Sequence, residues 1–439
     1  MTETQTATTA VEPRFISREE IVAMSEEVLN RPDLPLTVTD DFFRIQSLGL
    51  DWDIASKVYQ PADETKVPTG PDGKKIGIFL LHGGAGDHRS KDPMARFLAS
   101  KFGYKVANMS YPGRFNFATE NADWPGDTID HEARTARIPM WTKDQEIGPD
   151  QYEMVEDSSN PVYRAKWGTL YFLKAKEGTE FYDRLAAWPQ AFEEAMIAVC
   201  ERNFPTDEYS IYVHGHSTGG PFVHILLQRV DNIAGLLGME SSQWGFLYPL
   251  MLDMTWDFPF DYFTLRSWRH LAMYAGPEAG PEGMWRLPWL MEDVLEKWDK
   301  VKSQPQFKAE YIVTYGATES LAEAARAAAK RLQMNDAETV ALVERFTGYA
   351  RELSGPGVKP VPPLLYGIAK GSRDHTLERY RDITLREAAK MTPAPRTKLI
   401  QFQAGVHSYE RPEEDLPRGV LPAVTKWWDD EIREGFFVV

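Results

Sequence analysis

The fold of this chain is decided by residues 209–220, YSIYVHGHSTGG. Four of the first five residues are aromatic or β-branched, which predicts a buried strand. The apolar residues of 222–230 predict a helix directly after it. Ser217 therefore stands where a strand turns into a helix, between Gly215 and Gly219. Glycine two residues to either side permits a sharp turn, since larger side chains would collide across it.

Strands and helices alternate along much of the chain. Apolar runs and mixed patterns predict further strands at residues 43–59, 76–81, 104–109, 233–239, 362–368 and 397–402. The spacing of apolar residues predicts helices at residues 17–30, 93–102, 190–203 and 422–433. This alternation predicts an α/β fold, with a mostly parallel sheet and helices on both of its faces.

Two long segments interrupt the alternation and predict how the chain is divided. Residues 113–188 show no clear order of strands and helices, and residues 243–360 hold several helix-like stretches. Connections of this length are usually lids or subdomains. We expect four parts: an N-terminal extension at 1–40, a core at 41–242 and 361–439, an insertion in that core at about 113–188, and a mainly helical cap at 243–360.

The beginning of the predicted cap is unusually aromatic. Residues 241–298 are rich in Trp, Tyr, Phe and Met. Two interpretations stay open: the helices fill a small core of their own, or they line an apolar pocket. The second predicts a small-molecule substrate with a bulky apolar or aromatic part. An exposed part of such a cap could also pair two copies of the chain as a homodimer.

Composition narrows the classes of partner. The chain has 439 residues and a formal net charge of −16, which argues against nucleic acids and anionic membranes as partners. Cys200 is the one cysteine, so no internal disulfide can form, and this suits a reducing compartment. The first residues lack the pattern of a secretory signal, and no apolar run approaches the roughly 20 residues of a membrane helix. These features predict a cytoplasmic protein.

Ser217 is predicted to be a nucleophile. A serine at a strained strand-to-helix turn is exposed to substrate, and the N-terminus of the following helix favours negative charge there. The oxyanion formed by its attack needs N–H donors. We expect these donors to be Thr218 and, in the glycine-rich loop 82–86, Gly84, with Gly83 and Ala85 as open alternatives. His82 is expected to brace that loop.

A serine nucleophile needs a base and an acid that orients it. His407 follows the last predicted strand, from where a loop can return to the nucleophile. His216 adjoins Ser217, but adjacent residues on a tight turn are expected to point in different directions. The acid stays open between Glu240, which ends the strand 233–239, and Asp374 in the loop after 362–368. We lean to Glu240, because a carboxylate ending a buried strand must find a partner.

These residues resemble the α/β-hydrolase superfamily. The matching pieces are His82-Gly83-Gly84, Gly215-His216-Ser217-Thr218-Gly219 and Gly405-Val406-His407-Ser408, in the order serine, acid, histidine. The resemblance covers roughly residues 40–115, 190–242 and 361–435. Most members place the acid after the strand equivalent to 362–368, which favours Asp374. Haloalkane dehalogenases of one type and some bacterial esterases place it where Glu240 stands.

The resemblance implies hydrolysis of an ester, lactone or amide in two steps through an acyl-enzyme on Ser217. It implies no cofactor, and the nine histidines show no spacing typical of a metal site. Three alternatives stay open. An acyltransferase or a C–C bond hydrolase would use the same three residues, and a ligand-binding member of the superfamily would keep the fold without turnover.

Overall fold

The computed structural model describes residues 12–83, 88–113, 129–130, 135–136, 141–157, 170–176, 178–217, 219–241, 326, 329–330, 333–341, 359–372, 377, 380–381, 385–389 and 393–438. The strands are β1 (Arg14–Ile16), β2 (Leu36–Ser47), β3 (Leu50–Pro61), β4 (Lys75–Leu81), β5 (Lys105–Met109), β6 (Ile129–Asp130), β7 (Thr135–Ala136), β8 (Tyr152–Asp157), β9 (Leu170–Ala175), β10 (Tyr209–Gly215), β11 (Ile233–Met239), β12 (Leu364–Ala369), β13 (Thr397–Phe402) and β14 (Pro417–Val420). The helices are α1 (Arg18–Leu29), α2 (Asp92–Phe102), α3 (Glu180–Asn203), α4 (Gly219–Leu226), α5 (Leu385–Ala388) and α6 (Leu421–Arg433).

Nine of these strands form one sheet, in the order β1-β13-β12-β11-β10-β4-β5-β3-β2. The seven strands from β1 to β5 in that order are parallel, while β3 and β2 are antiparallel to their neighbours. After β5 the chain returns to the other side of β4 and continues outward from β10. Such a reversal opens a crevice at the carboxyl ends of the central strands. The strand order confirms the predicted α/β-hydrolase fold.

Helices cover both faces of this sheet. On β4, Ile76, Ile78 and Leu80 belong to a buried core that also contains residues of α1, α2 and α6. Gly77 lies on the opposite face, where an added Cβ would stand 2.6 Å from the Phe204 ring. Because side chains alternate across a strand, a strand covered on both faces reads as a continuous apolar run. This is why β4 could be predicted from sequence.

The predicted N-terminal extension contributes to the core. β1 pairs in parallel with β13, with Phe15 opposite Gln401, and forms one edge of the sheet. Ser17 caps α1 by accepting a hydrogen bond from the Glu20 N–H at 3.2 Å, as its position predicts. The strands predicted at 43–59 form a long antiparallel hairpin, β2–β3, which begins at Leu36.

Most of the predicted cap and much of the predicted insertion lie outside the described residues. The two interpretations of the aromatic segment 241–298 therefore stay predictions, as do the proposed domain limits. In the part of the chain that the structure describes, no helix combines the length and hydrophobicity needed to cross a membrane.

Candidate active site

Ser217 lies at the turn between β10 and α4, at the carboxyl edge of the sheet. Its φ of +53° is in the left-handed region, which is strained for a residue with a side chain. The flanking glycines are required by close backbone contacts. A Cβ on Gly215 would lie 2.1 Å from the Gly219 carbonyl oxygen, and one on Gly219 would lie 2.6 Å from that of His82. The sharp turn predicted from the sequence is thus present.

Glu240 is a second strained residue beside the first, with a φ of +52°. It directly follows β11, and its carbonyl oxygen accepts a hydrogen bond from the Ser217 N–H at 2.7 Å. Ser241 pairs with Ser217 in a parallel bridge, and its Oγ donates to the Gly215 carbonyl at 2.6 Å. Pairing between the two strands thus continues past their ends, and this fixes Ser217 and Glu240 at one edge of the sheet.

The carboxylate of Glu240 is fully buried and accepts hydrogen bonds from three of the described residues. Oε1 accepts from the Ala369 N–H at 2.7 Å, and Oε2 accepts from Ser372 Oγ at 2.6 Å and from His407 Nδ1 at 3.0 Å. Burial raises the pKa of Glu240, while the hydrogen bonds from His407, Ser372 and Ala369 oppose that rise. A donating Nδ1 leaves Nε2 of a neutral His407 as the ring's acceptor, which is the tautomer a general base needs.

Two loops hold His407 in place. Gly405, with a φ of +82°, turns the chain after β13 and donates its N–H to Glu413 Oε1 at 2.8 Å. Its carbonyl accepts from the Gly371 N–H at 3.0 Å, which ties the histidine loop to the loop that carries Ser372. Glu413 in turn pairs with Arg18 at 2.8 Å. The first helix therefore supports the loop of His407.

The side chain of His216 contacts His407. Its ring stacks on the His407 ring with centroids 4.8 Å apart, and its Nε2 lies 3.1 Å from the His407 carbonyl oxygen. Burial lowers the pKa of His216 well below its usual value, and the nearby Lys91 and His407 lower it further. His216 is therefore uncharged at neutral pH.

The loop before α2 begins beside Ser217. His82 donates from Nδ1 to the Gly83 carbonyl at 2.7 Å, and its ring stacks on Tyr111 at 3.9 Å. Tyr111 OH donates back to the His82 carbonyl at 2.5 Å, so His82 and Tyr111 hold the start of the loop, while bracing of residues 84–86, which lie outside the described residues, stays a prediction. A Cβ on Gly83 would lie 3.3 Å from Ser217 Cβ. The start of the predicted oxyanion loop is therefore in contact with the serine.

Two other buried histidines are structural. His214 Nδ1 donates to the Leu237 carbonyl at 2.7 Å, and its Nε2 lies 2.9 Å from Tyr409 OH. His224 Nδ1 donates to the Gly220 carbonyl at 2.6 Å, and its Nε2 lies 2.8 Å from Tyr366 OH. Burial lowers the pKa of His214 to about 3 and that of His224 to about 4.

The structure brings together Ser217, Glu240 and His407 of the predicted site. Gly84, Thr218 and Asp374 lie outside the described residues, so their roles stay predictions. Sequence reasoning missed Ser372, Ser241 and His216. His216 and Ser241 directly adjoin residues predicted for the site, and Ser372 lies two residues before Asp374, but only their hydrogen bonds reveal what they do. Among the described residues, no group of three His, Cys, Asp or Glu side chains could hold a metal ion.

No known family model and no curated protein matches this chain. Similar solved structures include a bacterial heroin esterase, 14% identical, which covers 89% of this chain and 84% of its own with a TM-score of 0.35. A lipase in its open form is 11% identical; the match covers 90% of this chain and 99% of the lipase, with a TM-score of 0.40. A fungal esterase from Rhizomucor miehei is 12% identical; the match covers 95% of this chain and 90% of the esterase, with a TM-score of 0.36. These TM-scores are too low to bear on function.

Proposed function

We propose that this protein is a serine hydrolase of the α/β-hydrolase superfamily that cleaves a carboxylic ester, lactone or amide of a bulky apolar or aromatic small molecule. One observation carries the proposal: Glu240 binds both partners, with its carbonyl on the Ser217 N–H at 2.7 Å and its carboxylate on His407 Nδ1 at 3.0 Å. A buried acid that holds a histidine beside a strained serine is the arrangement of a catalytic triad.

In the first step, Ser217 Oγ attacks the carbonyl carbon of the substrate while its proton passes to His407 Nε2. The resulting oxyanion is held by N–H groups, for which we propose Thr218 and Gly84. His407 then returns the proton to the leaving alcohol or amine as the bond to the acyl carbon breaks. The product of this step is an acyl ester on Ser217.

In the second step, a water molecule attacks the acyl carbon and gives one proton to His407. The carbonyl re-forms, the bond to Ser217 Oγ breaks, and His407 returns the proton to Ser217. Glu240 stays ionised throughout and stabilises the imidazolium that forms twice in each cycle. No cofactor is needed for either step.

The aromatic content of residues 241–298 supports the proposed apolar substrate. Three aromatic rings next to the His82 loop agree with it. Tyr111 stacks on His82, and its centroid lies 4.8 Å from that of Phe192 and 5.4 Å from that of Phe222. These three side chains form a buried apolar cluster beside His82, which suits a site for an apolar acyl or alcohol group.

The proposal can be tested with a fluorophosphonate probe and a series of p-nitrophenyl esters. Wild-type protein should be labelled once per chain, and Ser217→Ala should abolish labelling and lower ester turnover by about 10³-fold or more. Ser210→Ala is the matched control. Ser210 lies on β10, the strand that leads to Ser217, and its Oγ donates a hydrogen bond to Asp72 rather than to a residue of the proposed site. Labelling that persists in Ser217→Ala would refute the assignment.

A further inference from the structure

Among the described residues, His216 directly connects the serine turn to the histidine loop. The proposed mechanism gives this contact no role. His216 precedes Ser217 in the chain, so its backbone moves with the nucleophile. Its side chain reaches the opposite loop through a hydrogen bond and a ring stack. We propose that His216 is a positioning residue, which holds His407 at the correct distance from Ser217 by donating to the His407 carbonyl. This inference rests on the proposed function.

The hydrogen bond has only one chemically sensible direction. A carbonyl oxygen can only accept, so His216 Nε2 must carry a proton and donate it to the His407 carbonyl over 3.1 Å. The Nδ1 atom of the neutral ring then carries no proton. It faces the glycine loop, since a Cβ on Gly83 would lie 3.4 Å from it. The His216 ring is therefore packed between the base and the loop that we propose to bind the oxyanion.

The stack determines the angle of the His407 ring. The two ring planes are 26° apart with centroids separated by 4.8 Å, and Tyr409 packs edge-on against His216 at 5.4 Å. Glu240 contacts His407 at Nδ1, on the edge of the ring. The His216 ring adds a contact on the face of the same ring. Glu240 and His216 together fix both the position and the tilt of Nε2.

The charge of His216 suits this place. His407 becomes an imidazolium in both proposed steps, and a second charged ring at 4.8 Å would oppose that change. Burial keeps His216 neutral, and the charge of Lys91 adds to this effect. Lys91 is itself paired with Glu410 at 3.2 Å. A neutral aromatic ring can instead stabilise the cation through its π electrons.

Three substitutions separate the donor from the ring. His216→Gln places an amide N–H near the position of Nε2 and removes the ring, while His216→Phe keeps the ring and removes the donor. His216→Leu removes both. The matched control is His224→Gln, which replaces a buried histidine of α4 whose ring nitrogens contact Gly220 and Tyr366.

Two readouts distinguish positioning from general stability: the rate constant of fluorophosphonate labelling, and kcat measured apart from KM. A displacement of the base by about 1 Å costs on the order of 10²-fold. We expect His216→Leu to lower kcat and the labelling rate together by about 10- to 100-fold, with KM within about twofold. His216→Gln should be several-fold faster than His216→Phe. His224→Gln should lower the melting temperature and leave kcat unchanged.

The outcomes separate this inference from the function on which it rests. If wild-type protein is not labelled, the proposed function fails. If wild-type protein is labelled and His216→Leu reacts at the same rate, the function stands and the positioning role is refuted. If His216→Leu does not fold, the comparison of His216→Phe with His216→Gln decides. A slower rate in His216→Phe supports the role of the hydrogen-bond donor, and equal rates in the two variants refute it.

Discussion

Ser217 and Glu240 both have positive φ values, of +53° and +52°, and they are joined by a backbone hydrogen bond of 2.7 Å. Two strained residues thus lie side by side where β10 and β11 end. Strain of this kind costs about 1–3 kcal/mol for each residue, so it persists only where the surrounding contacts enforce it. Here the Ser217–Ser241 bridge and three hydrogen bonds on the Glu240 carboxylate enforce it.

The first prediction concerns the choice of acid. Glu240→Gln keeps the size of the side chain but removes the charge that orients and stabilises His407, so we expect kcat to fall by about 10²- to 10⁴-fold with little change in KM. Asp374→Asn is the matched control and should stay close to wild type. Steady-state hydrolysis of a p-nitrophenyl ester measures both. The reverse result, with Asp374→Asn inactive and Glu240→Gln active, would reassign the acid.

The second prediction concerns Ser372. Its Oγ donates to Glu240 Oε2 at 2.6 Å, next to the bond from His407. Ser372→Ala leaves the buried carboxylate with one donor fewer, so we expect kcat to fall by about 3- to 30-fold at constant KM. Ser408→Ala, at an exposed serine in the adjacent loop, should have no effect. Equal activity of the two variants would show that Ser372 does not help to position the acid.

The third prediction concerns glycines near the serine. A Cβ on Gly215 would lie 2.1 Å from a backbone oxygen that cannot move aside, so Gly215→Ala should destabilise the fold by about 1–3 kcal/mol or more. Gly83→Ala places a methyl group 3.3 Å from Ser217 Cβ, a tight contact that a shift of a few tenths of an ångström would relieve. That variant should keep its melting temperature and lose about tenfold in kcat. Thermal unfolding and ester turnover test the pair; a stable, active Gly215→Ala would contradict the turn geometry.

The fourth prediction concerns acid stability. In the folded protein the pKa of His214 is about 3 and that of His224 is about 4, both below the ordinary 6.5. Between each of these values and pH 6.5, the unfolded chain therefore binds more protons than the folded one. The stability that these neutral rings supply is complete above pH 6.5 and is lost as the pH falls toward 4. Each ring should lower the free energy of unfolding by up to about 1.4 kcal/mol per pH unit in that range.

Urea unfolding at pH 7, 6 and 5 measures this slope. Glutamine does not titrate, so His214→Gln and His224→Gln should each have a flatter dependence on pH than wild type, even where their stability at pH 7 is lower. A slope that neither substitution changes would show that other groups cause the acid sensitivity.

Much of the fold was predictable because its strands are buried on both faces. β4, β11 and β12 each read as a nearly continuous apolar run, and their limits agree with the predicted ones to within about two residues. β1 escaped prediction because three residues carry no periodicity. Its place is set by pairing with β13, far along the chain, and that pairing is visible only in three dimensions.

The sequence by itself determined the turn at Ser217, because Gly215 avoids a clash with the Gly219 carbonyl, four residues along the chain. It also determined that His407 and an acid follow later strands, since parallel strands end at one edge of a sheet. Only the tertiary structure decided that Glu240 binds His407 and that His216 faces it. The acid depends on which neighbouring strand end comes within hydrogen-bonding distance, and the direction of His216 depends on its contacts with His407 and Tyr409, about 190 residues along the chain.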